Sequence, residues 1–369
     1  MGMIAGMMRK ELVEKGQEIW DFVAYERLAK AWEFKSLPMI DNFSWLKLGG
    51  VGERALTGKA LWEPLGSSRS FLGFGQLMFL PAQMARLPLA DTKGIRTRQV
   101  IGPRARRPLE VDTPILLAAI DLASVTTAAK LSLARAAAAV GTAVNSGETD
   151  FRKLVDRLRA EGDGVPVGLK IGAGNIEADL EVALEAGFDV VTIDGGQGGT
   201  GYGPEMTINN FGVPTVYAIP RARRFLDEHH SDMTLIATGG LRDSGDFLKA
   251  MALGADAVAV GEAALAALIY PSWTRIPAWE SPLHLIFLGG KHLDQFDATQ
   301  GAQGVANFLK ASTEELALAA QTIGQEDVRD IGRNGLVALT KEVAEVTGVK
   351  LAYYAPATAT TATTAGVMA

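Results

Sequence analysis

The chain has 369 residues, 48% apolar and 21% charged, with a net charge of −6 and no cysteine. This is the composition of a globular protein with one barrel-sized core plus decorations, or two ordinary domains. It excludes disulfides, thiol catalysis, zinc–thiolate sites and protein-ligated iron–sulfur clusters, and the acidic balance argues against general nucleic-acid binding. No apolar run is long enough to span a bilayer, and the lack of cysteine fits a cytoplasmic setting.

In chain order, Met1 to Lys10 is apolar but too short for a secretory signal, and it leads into an amphipathic helix reaching about Trp32. Leu12, Ile19, Phe22 and Val23 share one side of that helix. Residues 1–112 lack a strand–helix rhythm and read as a helical, then irregular, extension. Within it Arg96, Arg98, Arg104, Arg106 and Arg107 make a basic cluster, either a solvated face or a partner contact.

The rhythm begins at Pro114, and residues 113–272 form the (β/α) barrel segment. Strands are expected at Ile115–Ile120, Thr142–Asn145, Val165–Ile171, Asp189–Ile193, Met233–Ala237 and Ala255–Val260. Helices are expected at Thr126–Val140, at Phe151–Glu161, from Ile176 (capped by Asn175) to Gly187, and at Ser244–Leu253. Residues 273–355 form a C-terminal extension, helical from about Val305 to Val346. The Ala/Thr tail from 356 to 369 reads as disordered. The fold class is therefore α/β, an aldolase-type (β/α)8 barrel left incomplete at six units, because a full barrel needs eight. An open sheet edge is a pairing liability, so a homo-oligomer is expected.

The chemistry-bearing residues gather at the strands' C-terminal ends, where such barrels hold their ligands. Asp194 to Pro204 reads Asp-Gly-Gly-Gln-Gly-Gly-Thr-Gly-Tyr-Gly-Pro, a strand opening into bare backbone. It contains a formal G-x-G-x-x-G, rejected as a dinucleotide fingerprint because Tyr202-Gly203-Pro204 follows instead of a helix. Gly239, Gly240 and Gly261 offer N–H groups beside helix starts, a phosphate-binding arrangement, or else they are loop glycines needing positive φ. Glu262 sits beside them as an awkward carboxylate that Arg242 would offset. Lys170 alternates with Gly168 and Gly172, so it points into the lumen to steady negative charge, or else snorkels to water. Gln197 and Thr200 are polar contacts at the mouth. Asn145, Ser146 and Glu148 end the second strand, as ligand contacts or as a capped turn. The four histidines form no constellation, and no metal spacing is present.

At these residues the chain resembles the FMN-binding domain of the glutamate synthase family. The likeness rests on Val167 to Ile171, Ile193 to Gly201, Ala237 to Gly240 and Val260-Gly261, and extends to Phe79 to Gln83, Ile101 to Ala105 and Asp297 to Leu309. The resemblance implies FMN in an aldolase-type barrel. Its phosphate would lie on Gly239, Gly240 and Gly261, beside Glu262, with Asn145 and Ser146 as further contacts. The flavin ring would lie near Lys170 and Gly198, Gly199, Thr200 and Gly201. It further implies reductive amination of a 2-oxo acid, 2-oxoglutarate in the family, with Lys170 and Gln197 as catalytic residues and a separate electron donor. Two departures stand out. Ala119 to Val125 replaces the family's Met-Ser-Phe-Gly-Ala-Leu-Ser-like stretch, and two strand–helix units are missing after Glu148. The alternatives are a non-catalytic barrel remnant that binds flavin or phosphate as a scaffold, and a flavin-independent barrel binding a phosphate ester.

Overall fold

The computed structural model describes residues 62–64, 71–82, 87–120, 125–144, 163–198, 202–277 and 280–353. The expected N-terminal helix, the helix over 151–161, the Asn145–Glu148 turn, Gly199 to Gly201 and the tail from 356 lie outside them.

The described part of the N-terminal extension holds short strands and one 3-10 turn, Phe74–Gln76. These are β1 (Trp62–Pro64), β2 (Leu77–Phe79), β3 (Gln99–Ile101) and β4 (Leu109–Val111). β3 and β4 form an antiparallel hairpin. Then β5 (Ile115–Leu117) leads into α1 (Thr127–Val140), whose N-cap Thr126 accepts from Ala129 N–H and whose end is turned by Gly141 at φ 69°. β6 (Gly168–Gly172), α2 (Ile176–Glu185) and β7 (Val190–Asp194) follow. Asn175 stands at the N-cap of α2 as expected, but its side chain makes no capping bond there.

β8 (Tyr202–Pro204) pairs with β1 and runs into α3 (Glu205–Asn210) and α4 (Thr215–Glu228). β9 (Thr234–Thr238), α5 (Ser244–Ala252), β10 (Ala257–Val260) and α6 (Glu262–Ile269) complete the rhythm. The C-terminal extension is not one helical stretch. α7 (Ala298–Ile323) starts at Asp297, which accepts from Thr299 and Gln300 N–H, and stops at Gly324 at φ 78°. β11 (Leu336–Ala338) pairs with β2, and α8 (Lys341–Thr347) ends the described chain.

The central sheet is all parallel, in the order β5-β10-β9-β7-β6. The second expected strand shrinks to a bridge, Val144 beside Leu117, on the far side of β5. The first strand thus lies between the second and the last, the neighbour relation of a closed barrel. Among the described residues the ring is open between Val144 and β6.

Apolar residues fill both faces, as parallel strands require. Val191, Ile193, Leu235, Ala237, Val258 and Val260 pack outward under the helices. Leu116, Ala118, Val190, Ile236, Ala257 and Ala259 pack inward against Ile101 and Val111 of the hairpin, which stops the N-terminal end of the lumen. The basic cluster is spent within the chain. Arg96 pairs with Asp327, Arg98 with Glu110, and Arg106 and Arg107 with Asp163, while Arg104 donates to the Phe188 carbonyl.

Asp327 fastens the C-terminal extension to the chain before the barrel. Its side chain is 2% exposed and accepts from Arg329 Nη2 at 2.6 Å and Arg96 Nε at 2.9 Å. Those guanidinium bonds hold its carboxyl down to about 2. An aspartate lowered on folding contributes fully above its unfolded value of roughly 3.9, and that contribution is lost as pH falls through the folded one. Asp327→Asn should cost about 1–3 kcal/mol in urea unfolding at neutral pH. The gap between variant and parent should close as the pH falls toward 2; a gap that stays constant with pH rejects this account.

Candidate functional site

Parallel pairing sets which residues share the lumen. Lys170 lies beside Thr192, Gly172 beside Asp194, and Asp194 beside Thr238. Gly168, Lys170 and Gly172 therefore face inward with Val190, Thr192 and Asp194, and with Ile236 and Thr238. Below, the lumen is filled by the inward apolar cluster. Above it the wall consists of Lys170, Thr192, Asp194, Thr238 and the backbone of Gly261, mostly small groups that leave room at the rim.

Lys170 is on the inner face, as the alternation predicts, but its ammonium is neither free nor turned out to water. It binds Asp194 Oδ2 at 2.7 Å, with the two side chains 30% and 15% exposed. Burial pushes the Asp194 carboxyl up and the Lys170 charge pulls it back. Its other oxygen, Oδ1, is enclosed and has no hydrogen-bond partner among the described residues. Sequence reasoning gave Asp194 no role. The signal was there: in parallel register the residue two beyond the partner of Lys170 faces the same side.

The glycine turn after Asp194 is packed onto the glycines after β9. Gly195 N–H donates to Thr238 O at 3.0 Å, Gly196 N–H to Val213 O at 2.9 Å, and Gly198 N–H to Gly195 O at 2.9 Å. A Cβ on Gly239 would lie 2.7 Å from Gly195 N, and one on Gly240 would lie 2.5 Å from Gln197 Cβ. Both glycines also hold left-handed backbone, φ 100° and 69°. Close approach and positive φ thus account for glycine at these two positions.

Gly261 is different: the space where a Cβ would stand meets only Ala118 Cβ, at 3.7 Å. Among the described residues no acceptor takes the N–H of Gly240 or Gly261. These amides end neighbouring strands on one rim.

Gln197 is committed differently from the expectation. Its side-chain oxygen accepts from Thr215 N–H at 2.9 Å and from Thr215 Oγ1 at 3.1 Å, pinning the start of α4. Thr215 Oγ1 is also 2.7 Å from Gly239 O, so one threonine ties both loops. Arg242 does not offset the acid next to the rim; its Nε donates to Asp246 Oδ2 at 2.9 Å. Glu262, the first residue of α6, is pushed up to about 7, by burial first and then by the charge of Asp194. Asn145, Ser146, Gly199, Thr200 and Gly201 lie outside the described residues.

Elsewhere, His284 and His292 stack edge to face at 6.3 Å, and among the described residues no His, Asp or Glu group is arranged to hold a metal. A groove of about 660 Å³ opens at the opposite, N-terminal end of the strands, lined by Gln99, Arg223, Asp227, Asp256 and Arg329. Its charges are mutually paired, Arg223 with Asp227 at 2.8 Å and with Asp256 at 3.7 Å. The convergent polar groups and free amides are at the C-terminal rim, which is the candidate site.

Residues 148–326 match the family described as the conserved region in glutamate synthase. The chain is 26% identical over 414 residues to a glutamate synthase large subunit-like protein of Rhizobium meliloti (strain 1021). That alignment takes in 93% of the relative but 83% of this chain, so stretches of the relative have no counterpart here. It is 34% identical over 198 residues to the archaeal glutamate synthase [NADPH] of Methanocaldococcus jannaschii, covering 51% of this chain and 38% of that one. The chain thus spans less than two fifths of that archaeal relative. A mandelate oxidase structure aligns with a TM-score of 0.47 and 18% identity, over 72% of this chain and 89% of that one. Over residues 148–326 the chain is thus similar to the conserved region of glutamate synthase, and the glycine-bearing strand ends described above fall largely inside that stretch.

Proposed function

We propose that the protein is an FMN-dependent oxidoreductase of glutamate synthase type that reductively aminates 2-oxoglutarate or a similar 2-oxo acid. The observation that carries this is the rim itself: a lysine held on a buried aspartate at one end, and two unclaimed backbone amides, Gly240 and Gly261, at the other. Neighbouring strands are spaced about 4.8 Å apart, so β6 to β10 offers a rim of roughly 14 Å. A flat ring carrying a phosphorylated chain suits that span. The amides at Gly240 and Gly261 and the open space over Ala118 fit its phosphate, and the small side chains above the apolar plug fit its ring.

When bound, FMN would supply the hydride that reduces an imine of the 2-oxo acid. The chain's own residues have other tasks. Asp194 fixes the direction of the Lys170 ammonium, whose remaining N–H groups steady a carboxylate or an anionic ring. Gln197 and Thr215 keep the Asp194–Gly198 turn against Gly239. Ammonia and electrons would come from outside the described residues, from free ammonia or another amine and from a separate donor.

The protein as purified, or after addition of FMN, should show the visible absorbance of oxidised flavin and release FMN on denaturation. Colourless protein that refuses FMN rejects the cofactor. In a reduced sample, 2-oxoglutarate plus ammonia should reoxidise the flavin, and failure with a competent reductant rejects this substrate while keeping the cofactor.

Removing Lys170 strands a buried carboxylate. Lys170→Met should therefore slow substrate-dependent flavin reoxidation by about 10–100-fold and also cost about 1–3 kcal/mol of stability. The double variant Lys170→Met with Asp194→Asn should recover the stability but not the rate. Recovery of both would show that the pair is structural only.

A further inference from the structure

We infer that the groove at the N-terminal end of the strands is a second small-molecule site, which takes a zwitterionic α-amino acid with an apolar side chain. The inward apolar cluster lies between this groove and the rim, so the site stands apart from the flavin reading.

The groove has a volume of about 660 Å³, within the roughly 300–1,000 Å³ of small-molecule sites. Its lining includes the buried apolar residues Met233, Met251, Val328 and Ile331. Its charged wall is Arg223 and Asp227 of α4 with Asp256, the residue before β10.

Arg223 is the unusual group. Its stem lies across Gly254, where a Cβ would stand 2.7 Å from Arg223 Cβ. The side chain is only 18% exposed. Its Nε is 2.8 Å from Asp227 Oδ1 and its Nη1 is 3.7 Å from Asp256 Oδ2. Both contacts are ion pairs without hydrogen-bond alignment. The Nε is enclosed and has no hydrogen-bond partner, and neither Nη donates to another described residue. A guanidinium carries five N–H donors, and leaving them unmade away from water is costly. The groove is where an acceptor would come from.

A second guanidinium stands on the same edge. Arg333 Nη2 donates to Leu253 O at 3.2 Å, one residue from the glycine beneath Arg223. Burial first, and then the charge of Arg224, pulls Arg333 below its ordinary value. The acidic side is in the same condition. Asp256 Oδ2 accepts from Leu235 N–H at 2.7 Å, yet burial pushes its carboxyl up. Asp232, exposed at the edge of the groove, adds to the negative side. The other polar lining groups are engaged: Arg329 on Asp327, the Thr234 hydroxyl on Gly102 N–H, the Ser231 hydroxyl on Met233 N–H, and the Gln99 amide on Asp256 O.

A simple anion or cation would satisfy one of these charges and crowd the other. In an α-amino acid the ammonium nitrogen and the carboxylate oxygens are about 3 Å apart by covalent geometry, and the ion pairs of the wall measure 2.8 and 3.7 Å. Laid head to tail over Arg223 and Asp256, the carboxylate accepts from the Nη groups and the ammonium donates to Asp256. The ligand's side chain then meets the methionines, Val328 and Ile331.

L-Leucine is the probe, with 3-methylbutylamine and 4-methylpentanoate as its forms lacking the carboxylate and the ammonium. Binding to the full chain is read by calorimetry. Leucine should bind at one site per chain, and each analogue should bind about 10–100-fold more weakly, because each forfeits charge-assisted hydrogen bonds. Arg223→Met, which keeps the stem over Gly254, should lose leucine affinity by a similar factor. Added FMN should leave leucine affinity unchanged.

Leucine that does not bind overturns the site and leaves the flavin reading standing; protein that refuses FMN but binds leucine does the reverse. An analogue that binds as tightly as leucine overturns the zwitterion. Leucine affinity unchanged in Arg223→Met overturns the location. If that variant does not fold, Asp256→Asn, which keeps an acceptor for Leu235 N–H, makes the same test.

Discussion

The site depends on main chain packed against main chain, where the turn leaving β7 rests on the residues leaving β9. A side chain at Gly195, Gly239 or Gly240 would meet backbone or the stem of Gln197, so the two loops touch only because these positions are bare. Thr215 clamps the contact from below, its backbone N–H donating to the Gln197 amide oxygen and its hydroxyl to the Gly239 carbonyl. That contact sets Asp194 at a fixed height, and Asp194 in turn sets Lys170. A polar feature at the rim is thus oriented by packing that contains almost no side chains, which is why it is rigid without being bulky.

Much of this was legible beforehand. Five of six strands are where periodicity put them, because parallel strands with two buried faces write long Val/Ile/Ala runs into the sequence. The sixth survives only as the Val144 bridge, being three or four residues with nothing beyond to pair with among the described ones. The C-terminal segment misled because the Ala- and Leu-rich stretch before Gly324 and the apolar-spaced stretch after it read as one helix. Long-range pairing of β11 with β2, unseen from sequence, turns the middle of it into strand. At the site, alternation placed Lys170 correctly, but its partner required the register between β6 and β7. Gln197 looked like a ligand contact because amides in glycine loops often are. Its actual bond, to a helix start 18 residues on, is a tertiary event.

The open flank of the ring lies where the resemblance implies a missing stretch after Glu148. Among the described residues the two outermost sheet members are Val144 and β6, the strands that a deletion of two consecutive units would leave without neighbours. The family match across 148–326 begins at this junction. What lies on the far side of the opening, the glycine-bearing rim from β6 to β10, is continuous. A shortened barrel can therefore keep one half of its rim intact, since parallel units each bury their own helix and depend on immediate neighbours.

The hairpin of β3 and β4, with Ile101 and Val111 wedged beneath the sheet, has a dielectric meaning. It works as a cork: among the described residues the floor under the glycine lip is hydrocarbon. Charges on that lip have no water beneath them, so each pulls or pushes on its neighbours harder than it would on a bare, wetted sheet.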